Sequence, residues 1–467
     1  MIFSYQRNAR RLTSLLFRVR PCNLQEYRSG FHLTRPEPLD MAWEIRRTAG
    51  LKRTLLLIIA SLAMYVVLIA AARALDLNEP YLPFAIAGGL IFYLRAQPKA
   101  WEQILCLACS VGFAFMVPFP HTKNWIIAGS SMLAMLGFGA FLMFGLRWIW
   151  SEQPARRETT ALLAPACALI FFVFSAQRAF GIKQIGQAQT YDLYLYAADG
   201  AFGFQPSFVC GRVMARLHAL QIACLLAYLS LPFVMALAYA LLPRKEKRPS
   251  WDIISVFMLA GIGGWALYNV APATGPIYAF PASFPWQTLP YHFLPKLLLE
   301  RIPVPGNAPR NAIPSLHMAW VLLLFWNTKA LSRSLRLFLA IYVGLTVLAT
   351  LGTGEHYFVD LLTAVPFALM VQAVVSPGCT PRLLPRLLAA SSGLGLCLAW
   401  LLLLRYGIKM MLISPVVPWG LSVLTCGAVW KMCSWFTSQT TQPQVQANQS
   451  SSSLVAEDER SAFAAHN

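Results

Sequence analysis

Charge is what this chain has least of. Only 12% of its 467 residues are Asp, Glu, Lys or Arg, while 57% are hydrophobic; an ordinary soluble domain is about 25% charged. With a mean hydropathy of +0.54, that shortage excludes a string of soluble domains and points to a polytopic membrane protein. Acidic residues are the scarcer sign, 19 against 38 basic ones, for a net charge of +19. Such an excess raises nucleic acid as a partner, but the basic residues gather in short clusters between apolar runs: "ARRE" (155–158), "RKEKR" (244–248) and "KALSRSLR" (329–336). That is the pattern of cytoplasmic loops under the positive-inside rule, not of a continuous nucleic-acid surface. No nucleic-acid partner is expected.

Two kinds of metal or redox framework are missing as well. The ten cysteines form no paired pattern, and most lie inside apolar runs (Cys167, Cys224, Cys397, Cys426), where a thiol behaves as a small hydrophobe. "CLAC" (106–109) has C-x-x-C spacing but lies within a span and lacks a βαβ context, so it reads as packing. His218 and His292 invite a zinc site with other histidines, yet no HExxH or close His/Cys cluster accompanies them. Neither metal nor cofactor is expected.

What the chain does have is apolar runs of about bilayer length, roughly 20 residues and sometimes fewer. Spans are expected near 53–75, 81–95, 102–118, 124–147, 160–178, 219–242, 252–270, 315–331, 335–351, 356–376, 387–405 and 411–434. The predicted fold is therefore all-α, a polytopic membrane helical bundle of about 12 spans. With a cytoplasmic N-terminus, the larger basic clusters fall on one side of the membrane; Arg405 and Lys409 fall on the other. Residues 1–52, rich in arginine, read as a transit peptide, a disordered basic arm, or an upstream extension with the start at Met41. The tail from 437 is polar and low in complexity, hence expected to be disordered. Two outward segments, 181–218 and 271–314, mix aromatics, Pro and Gly and read as interfacial loops.

Against this background "GTGEHYFVD" (352–360) stands out, with three ionisable groups at the edge of an apolar run. Such groups in membrane segments are rare and mark functional sites by default. His356 lies 39 residues after His317 of "PSLH". Two short crossings and a turn need about that many residues, so both histidines return to one membrane face. Asp360 is at i+4 from His356, which on a helix puts both side chains on one face. A carboxylate there holds one tautomer of the imidazole and makes His356 a candidate nucleophile. His317 is then free to act as general acid, while Ser315 and the N–H groups at a helix start suit an anion. Glu355, on another helical face, is expected to look toward solvent or headgroups. A structural His–Asp pair between packed helices is the blander alternative.

"PSLHMAW" and "GTGEHYFVD" resemble the second and third motifs of the type-2 phosphatidic acid phosphatase superfamily. The variant is most similar to the branch that includes inositol phosphorylceramide synthases, where PSLH replaces PSGH. "YDLYLYAADGAFGFQPS" and "YNVAPATGPIYAF" are similar to outer segments of bacterial members. The resemblance covers about 160–376 and implies a six-helix phosphatase-like core. It gives an organisation of basic arm (1–52), four accessory spans (53–150), phosphatase or phosphotransferase core (151–376), two further spans (377–436) and tail (437–467). It also implies a metal-free phosphohistidine on His356, with Asp360 as orienting carboxylate and His317 as general acid. The implied substrate is a lipid-linked phosphate at the outer face of a bacterial inner membrane; whether water or an alcohol accepts the phosphoryl group stays open, as does the oligomeric state.

Two departures bear on this. No K-x6-R-P first motif precedes PSLH, and the Ser-Arg that opens the third motif is replaced by Ala349 and Thr350. Phosphoryl transfer needs cationic or N–H donors around the equatorial oxygens. Arg310, seven residues before His317 in a Gly/Pro-bent loop, is the first candidate, with headgroup snorkelling as its alternative; Lys183, Lys296 and Arg301 are weaker ones. The competing functions are a transporter that uses the histidines as a proton relay and a binding-only relative with an inactive site. Matching interrupted helices in the two halves of the chain, which would favour a transporter, are not evident.

Overall fold

The computed structural model describes residues 39–75, 80–117, 125–153, 155–181, 189–242, 252–306, 308–329, 331–375 and 383–438. The expectations for 1–38, the "RKEKR" cluster, Lys183 and the tail from 439 lie outside these residues. The chain divides into two compact units, 1–58 and 59–467. Within the described residues the structure is nearly all helix. Helix α1 (Leu39–Ala74) is followed by α2 (Leu82–Arg95), α3 (Ala100–Met116), α4 (Trp125–Trp150) and α5 (Ala155–Gly181). After a short strand β1 (Gln189–Thr190) come α6 (Asp192–Gly200), α7 (Pro206–Arg216), α8 (His218–Leu229), α9 (Leu231–Leu241), α10 (Asp252–Val270) and the single turn α11 (Pro276–Ala279). Strand β2 (Ile302–Pro303) pairs antiparallel with β1. The chain continues through α12 (Leu316–Asn327), α13 (Arg333–Gly352), α14 (Phe358–Val375), α15 (Leu383–Tyr406), α16 (Ile408–Met411) and α17 (Val416–Ser438).

Each of the twelve expected apolar runs is helical, but they are not twelve equal crossings. Seven described helices are long and apolar enough to cross a membrane, eight if α7 and α8, bent by 118° at Leu217, count as one span. These helices suggest an integral multi-pass membrane protein. Among the expected spans, 219–242 is two helices, because Ser230 ends α8 and Pro232 starts α9. The run expected at 315–331 stops at Asn327, and its 12 residues rise only about 18 Å, short of the roughly 30 Å hydrocarbon core. Segment 181–218, expected as an interfacial loop, holds α6 and α7.

Close helix approach in this fold rests on small residues, as in lipid, where apolar side chains gain little from leaving the solvent. A Cβ on Gly88 of α2 would stand 3.0 Å from Ala236 Cβ of α9, and one on Gly137 of α4 only 2.1 Å from the Ile86 carbonyl. Helix α2 thus wedges between α4, α5 and α9, with Leu82–Gly89 buried throughout. Helix α14 is the most enclosed of the seven long helices and packs against α10, α12 and α15. Paired amides bridge α12 and α14 in its lower half: Asn327 Nδ2 donates to Gln372 Oε1 (2.6 Å) and Gln372 Nε2 returns a bond to Asn327 Oδ1 (3.2 Å).

Helices α12, α13 and α14 are consecutive and alternate in direction, so His317 at the start of α12 and His356 just before α14 share one end. Lys329, Arg333, Arg336 and Arg386, whose guanidinium donates to the Ala373 and Val374 carbonyls, sit at the other end.

Candidate active site

Two carboxylates of the "YDLYLYAADGAFGFQPS" segment, neither of them among the expected site residues, build the frame. Asp192 and Asp199 are seven residues apart on α6, hence on one face, and both are fully buried. Asp192 accepts hydrogen bonds from the backbone N–H groups of Thr274 (3.1 Å) and Gly275 (3.0 Å) and from the Tyr357 hydroxyl (2.9 Å). Asp199 accepts from the N–H groups of Phe358 (2.8 Å) and Val359 (3.0 Å). It thereby closes the positive N-terminus of α14 with an anion-capable group. Burial pushes its carboxyl up to about 8, against the pull of those two donors; burial raises Asp192 as well.

The segment carrying Gly275 is pressed against the loop ahead of α14. Gly275 has φ +97°, and a Cβ there would lie 2.3 Å from the Glu355 carbonyl, so only glycine fits both the angle and the contact. Ile277 N–H donates to Gly354 O (3.0 Å), Ala312 N–H to Ala273 O (2.9 Å) and Ser315 N–H to Asp360 O (3.1 Å). Three loops from distant parts of the sequence are laced together around His356.

His356 is 3% exposed. Its backbone is fixed at both ends: its N–H donates to Thr350 O (3.2 Å) and its carbonyl accepts from Ser207 Oγ (2.8 Å). Nδ1 lies 2.8 Å from the Ala312 carbonyl and 3.6 Å from Asp360 Oδ2. A carbonyl oxygen only accepts, so Nδ1 carries a hydrogen, and in the neutral ring the lone pair is then on Nε2. Asp360 is itself held, its Oδ2 accepting from Tyr357 N–H at 2.7 Å. The i, i+4 pairing expected on one helix face takes a different form: α14 begins at Phe358, and His356 sits in the preceding turn, brought to Asp360 by that bend. The shared residue Tyr357 is bound from below by Asp360 and from its hydroxyl by Asp192.

His317 lies one residue into α12, behind Ser315, which caps the helix by accepting from Met318 N–H (3.4 Å). Its ring stacks on Tyr228 of α8 with centroids 3.8 Å apart and planes at 19°. Tyr81, just ahead of α2, stands 5.5 Å away and Trp320 5.7 Å. Glu355 departs from the expectation of a solvent- or headgroup-facing charge. It is partly buried, its Oε1 accepts from the Tyr278 hydroxyl at 2.9 Å, and burial raises its carboxyl. Gly354, at φ +76°, turns the chain so that Glu355 faces inward.

Arg310 is 7% exposed and donates through Nη1 to the carbonyls of Ala308 (2.6 Å) and Pro305 (3.5 Å). It stiffens the loop that ends in Ala312. Ala349 and Thr350, at the positions of the missing Ser-Arg, are fully buried, Thr350 supplying its carbonyl to His356 N–H. Lys296 is exposed, and Arg301 lies over the Tyr191 ring at 5.8 Å. His218 and His292 are exposed, His292 against Phe293.

This arrangement can present one unprotonated imidazole nitrogen beside a second imidazole, at one end of a membrane bundle. Residues 193–374 match the PAP2 superfamily. No curated protein and no solved structure matches the chain. The PAP2-matched segment takes in α7–α13 and all but one residue each of α6 and α14, with Asp199, His317, His356 and Asp360; it stops short of Asp192 by one residue and of Tyr81 by far more. With the apolar helices, the match suggests a membrane protein of the phosphatase type.

Asp199 offers a direct test of the frame. Asp199→Ala leaves two buried N–H groups without an acceptor, each costing about 1–3 kcal/mol, whereas Asp199→Asn keeps an acceptor oxygen. The alanine variant is expected to lose about 2–4 kcal/mol of stability in detergent and the asparagine variant about half as much, read from denaturation midpoints. Equal losses would mean that the N–H groups are not what the carboxylate serves.

Proposed function

We propose that the protein transfers a phosphoryl group from a lipid-linked phosphate through a phosphohistidine. Nε2 of His356 attacks phosphorus, the N–P bond forms as the ester P–O bond breaks, and His317 delivers its proton to the departing oxygen. An acceptor hydroxyl then attacks the phosphohistidine, returning the proton to His317. Water as acceptor makes the protein a phosphatase; a lipid or polyol hydroxyl makes it a head-group transferase, as in the inositol phosphorylceramide synthase branch. Asp360 and the Ala312 carbonyl hold the tautomer, and Arg310 and the N–H groups beside Ser315 face the phosphate oxygens.

The observation that carries this reading is the Nδ1 contact with the Ala312 carbonyl at 2.8 Å. It commits one ring nitrogen to the protein and leaves the other for chemistry. A lipid substrate suits a nucleophile at the end of a membrane helix. The basic cluster at the opposite helix ends supports an outer placement of the site, which in a bacterial inner membrane is the periplasmic face.

Purified protein incubated with a panel of lipid phosphates is expected to release free phosphate or form a new phosphodiester. Vanadate, a pentavalent mimic of the transferring group, is expected to inhibit either reaction. Turnover insensitive to vanadate, or no turnover of any lipid phosphate, would remove the reading.

A further inference from the structure

The PAP2-matched segment supplies the two histidines, but the surroundings of His317 come partly from elsewhere. Its ring lies flat on Tyr228 at 3.8 Å. The Tyr81 ring is 5.5 Å from His317 and 5.9 Å from Tyr228, and the two phenols interact. Trp320, one turn along α12, meets the imidazole edge-on. His317 is thus held on two sides by aromatic rings while partly open on the remaining one. The charged and titratable groups facing it are few. They are Tyr228 from α8, Tyr81 ahead of α2, and His356 with Glu355 from the turn before α14, Glu355 being bonded in turn to Tyr278 of α11. No carboxylate bonds His317 directly among the described residues.

A general acid must keep its proton until the transition state and must point at the leaving oxygen. His356 is oriented by hydrogen bonds. His317, among the described residues, is oriented by aromatic contacts. Burial and the neighbouring His356 work against the imidazolium; a π face attracts it as it does other cations and restricts rotation about the side-chain bonds, so one contact opposes that loss and orients the ring.

We propose that Tyr228 and Tyr81 are positioning residues for His317, and that the helix pair α2–α8 thereby completes the acid half of the site. This rests on the phosphohistidine reading given above. Tyr228 supplies the stacking face; Tyr81, anchored by the tightly packed start of α2, keeps Tyr228 in place and closes the far side. Neither residue touches the phosphate.

The test uses two substrates with the full chain in detergent. An alkyl phosphate loses an alkoxide and needs the acid's proton. An aryl phosphate such as p-nitrophenyl phosphate loses a stabilised phenolate and does not. His317→Ala is expected to slow the alkyl ester at least a hundredfold more than the aryl ester. Tyr228→Leu, which removes the stacking face, is expected to show the same preference, with at least a tenfold differential, and to narrow the pH range of alkyl turnover on its alkaline side. Tyr228→Phe, which keeps the ring, is expected to restore most of the alkyl rate; Tyr81→Leu is expected to fall between the two. A Tyr228→Leu variant that loses both substrates equally while His317→Ala discriminates between them would overturn the inference and leave the phosphohistidine reading standing. If His317→Ala itself shows no leaving-group preference, the acid assignment falls and the inference with it. Should Tyr228→Leu fail to fold, Tyr81→Leu and Tyr228→Phe carry the same comparison, and equal losses on both substrates again overturn it.

Discussion

His356→Ala is expected to abolish turnover, with rates falling roughly ten-thousandfold or more, since removing a nucleophile leaves only what binding and the remaining donors contribute. The alanine also gives up the bond from Nδ1 to the Ala312 carbonyl, so some stability goes with it, about 1 kcal/mol. His356→Asn separates the two effects: its amide N–H is placed to make that bond but cannot form a phosphoenzyme. It is expected to melt close to the parent protein and to be equally inactive. Brief incubation with radiolabelled substrate followed by alkaline quench is expected to leave an acid-labile label on the parent protein and none on either variant. The double variant with His317→Ala is expected to be little worse than either single one, because residues acting as a unit fail together. Labelling or near-normal turnover in His356→Asn would place the nucleophile elsewhere.

The second large effect is expected at Arg310. A phosphoryl group carries about two negative charges near neutral pH, and both the first motif of the resembling family and the Ser-Arg that opens its third are absent here. Arg310 lies in the loop that presents the Ala312 carbonyl to His356, and its Nη1 is already engaged with Ala308 and Pro305. Replacing it acts twice: it removes a forked donor and frees the loop that sets the imidazole tautomer. Each aligned donor contributes on the order of 3 kcal/mol in such transition states, so Arg310→Ala is expected to lose roughly a hundredfold or more in kcat/KM. Arg310→Lys keeps a charge but not the planar fork and is expected to lose much of the activity as well. Retention of more than about a third of the rate by the alanine variant would send the search to Lys183 and Arg301.

How much of this was legible in the sequence depends on what kind of contact each residue makes. Apolar runs become helices wherever they were expected, because hydrophobicity and length are local properties. The break at Ser230–Pro232 was also local and was readable from the proline, yet the surrounding apolar run masked it. His317, His356 and Asp360 announce themselves as polar groups at the edges of such runs, and their spacing alone puts both histidines at one helix end. Asp192 and Asp199 gave no such notice. Their partners are backbone N–H groups of Thr274, Gly275, Phe358 and Val359, and a backbone group looks the same in every sequence. Glu355 was misread for a related reason. The helical wheel used for it presumes a helix through 352–360, whereas the chain turns at Gly354 and aims the carboxylate at Tyr278. Tyr228 and Tyr81 fall within apolar runs and carry no mark of their role, since nothing local records the ring that stacks on them.

The glycine contacts of α2 have a bearing on how such a protein can change over time. Gly88 lies against Ala236 and the Ile86 carbonyl against Gly137, with Tyr81 at the head of the same helix. A substitution that enlarges either side of these seams displaces α2 and, with it, the phenol beside His317. The front of the chain and the phosphatase-like part are therefore bound to a common history. A lineage that exchanged one half for a foreign counterpart would inherit mismatched seams and a loosened acid, so changes in Gly88, Ala236, Tyr81 and Tyr228 should travel together rather than arise one at a time.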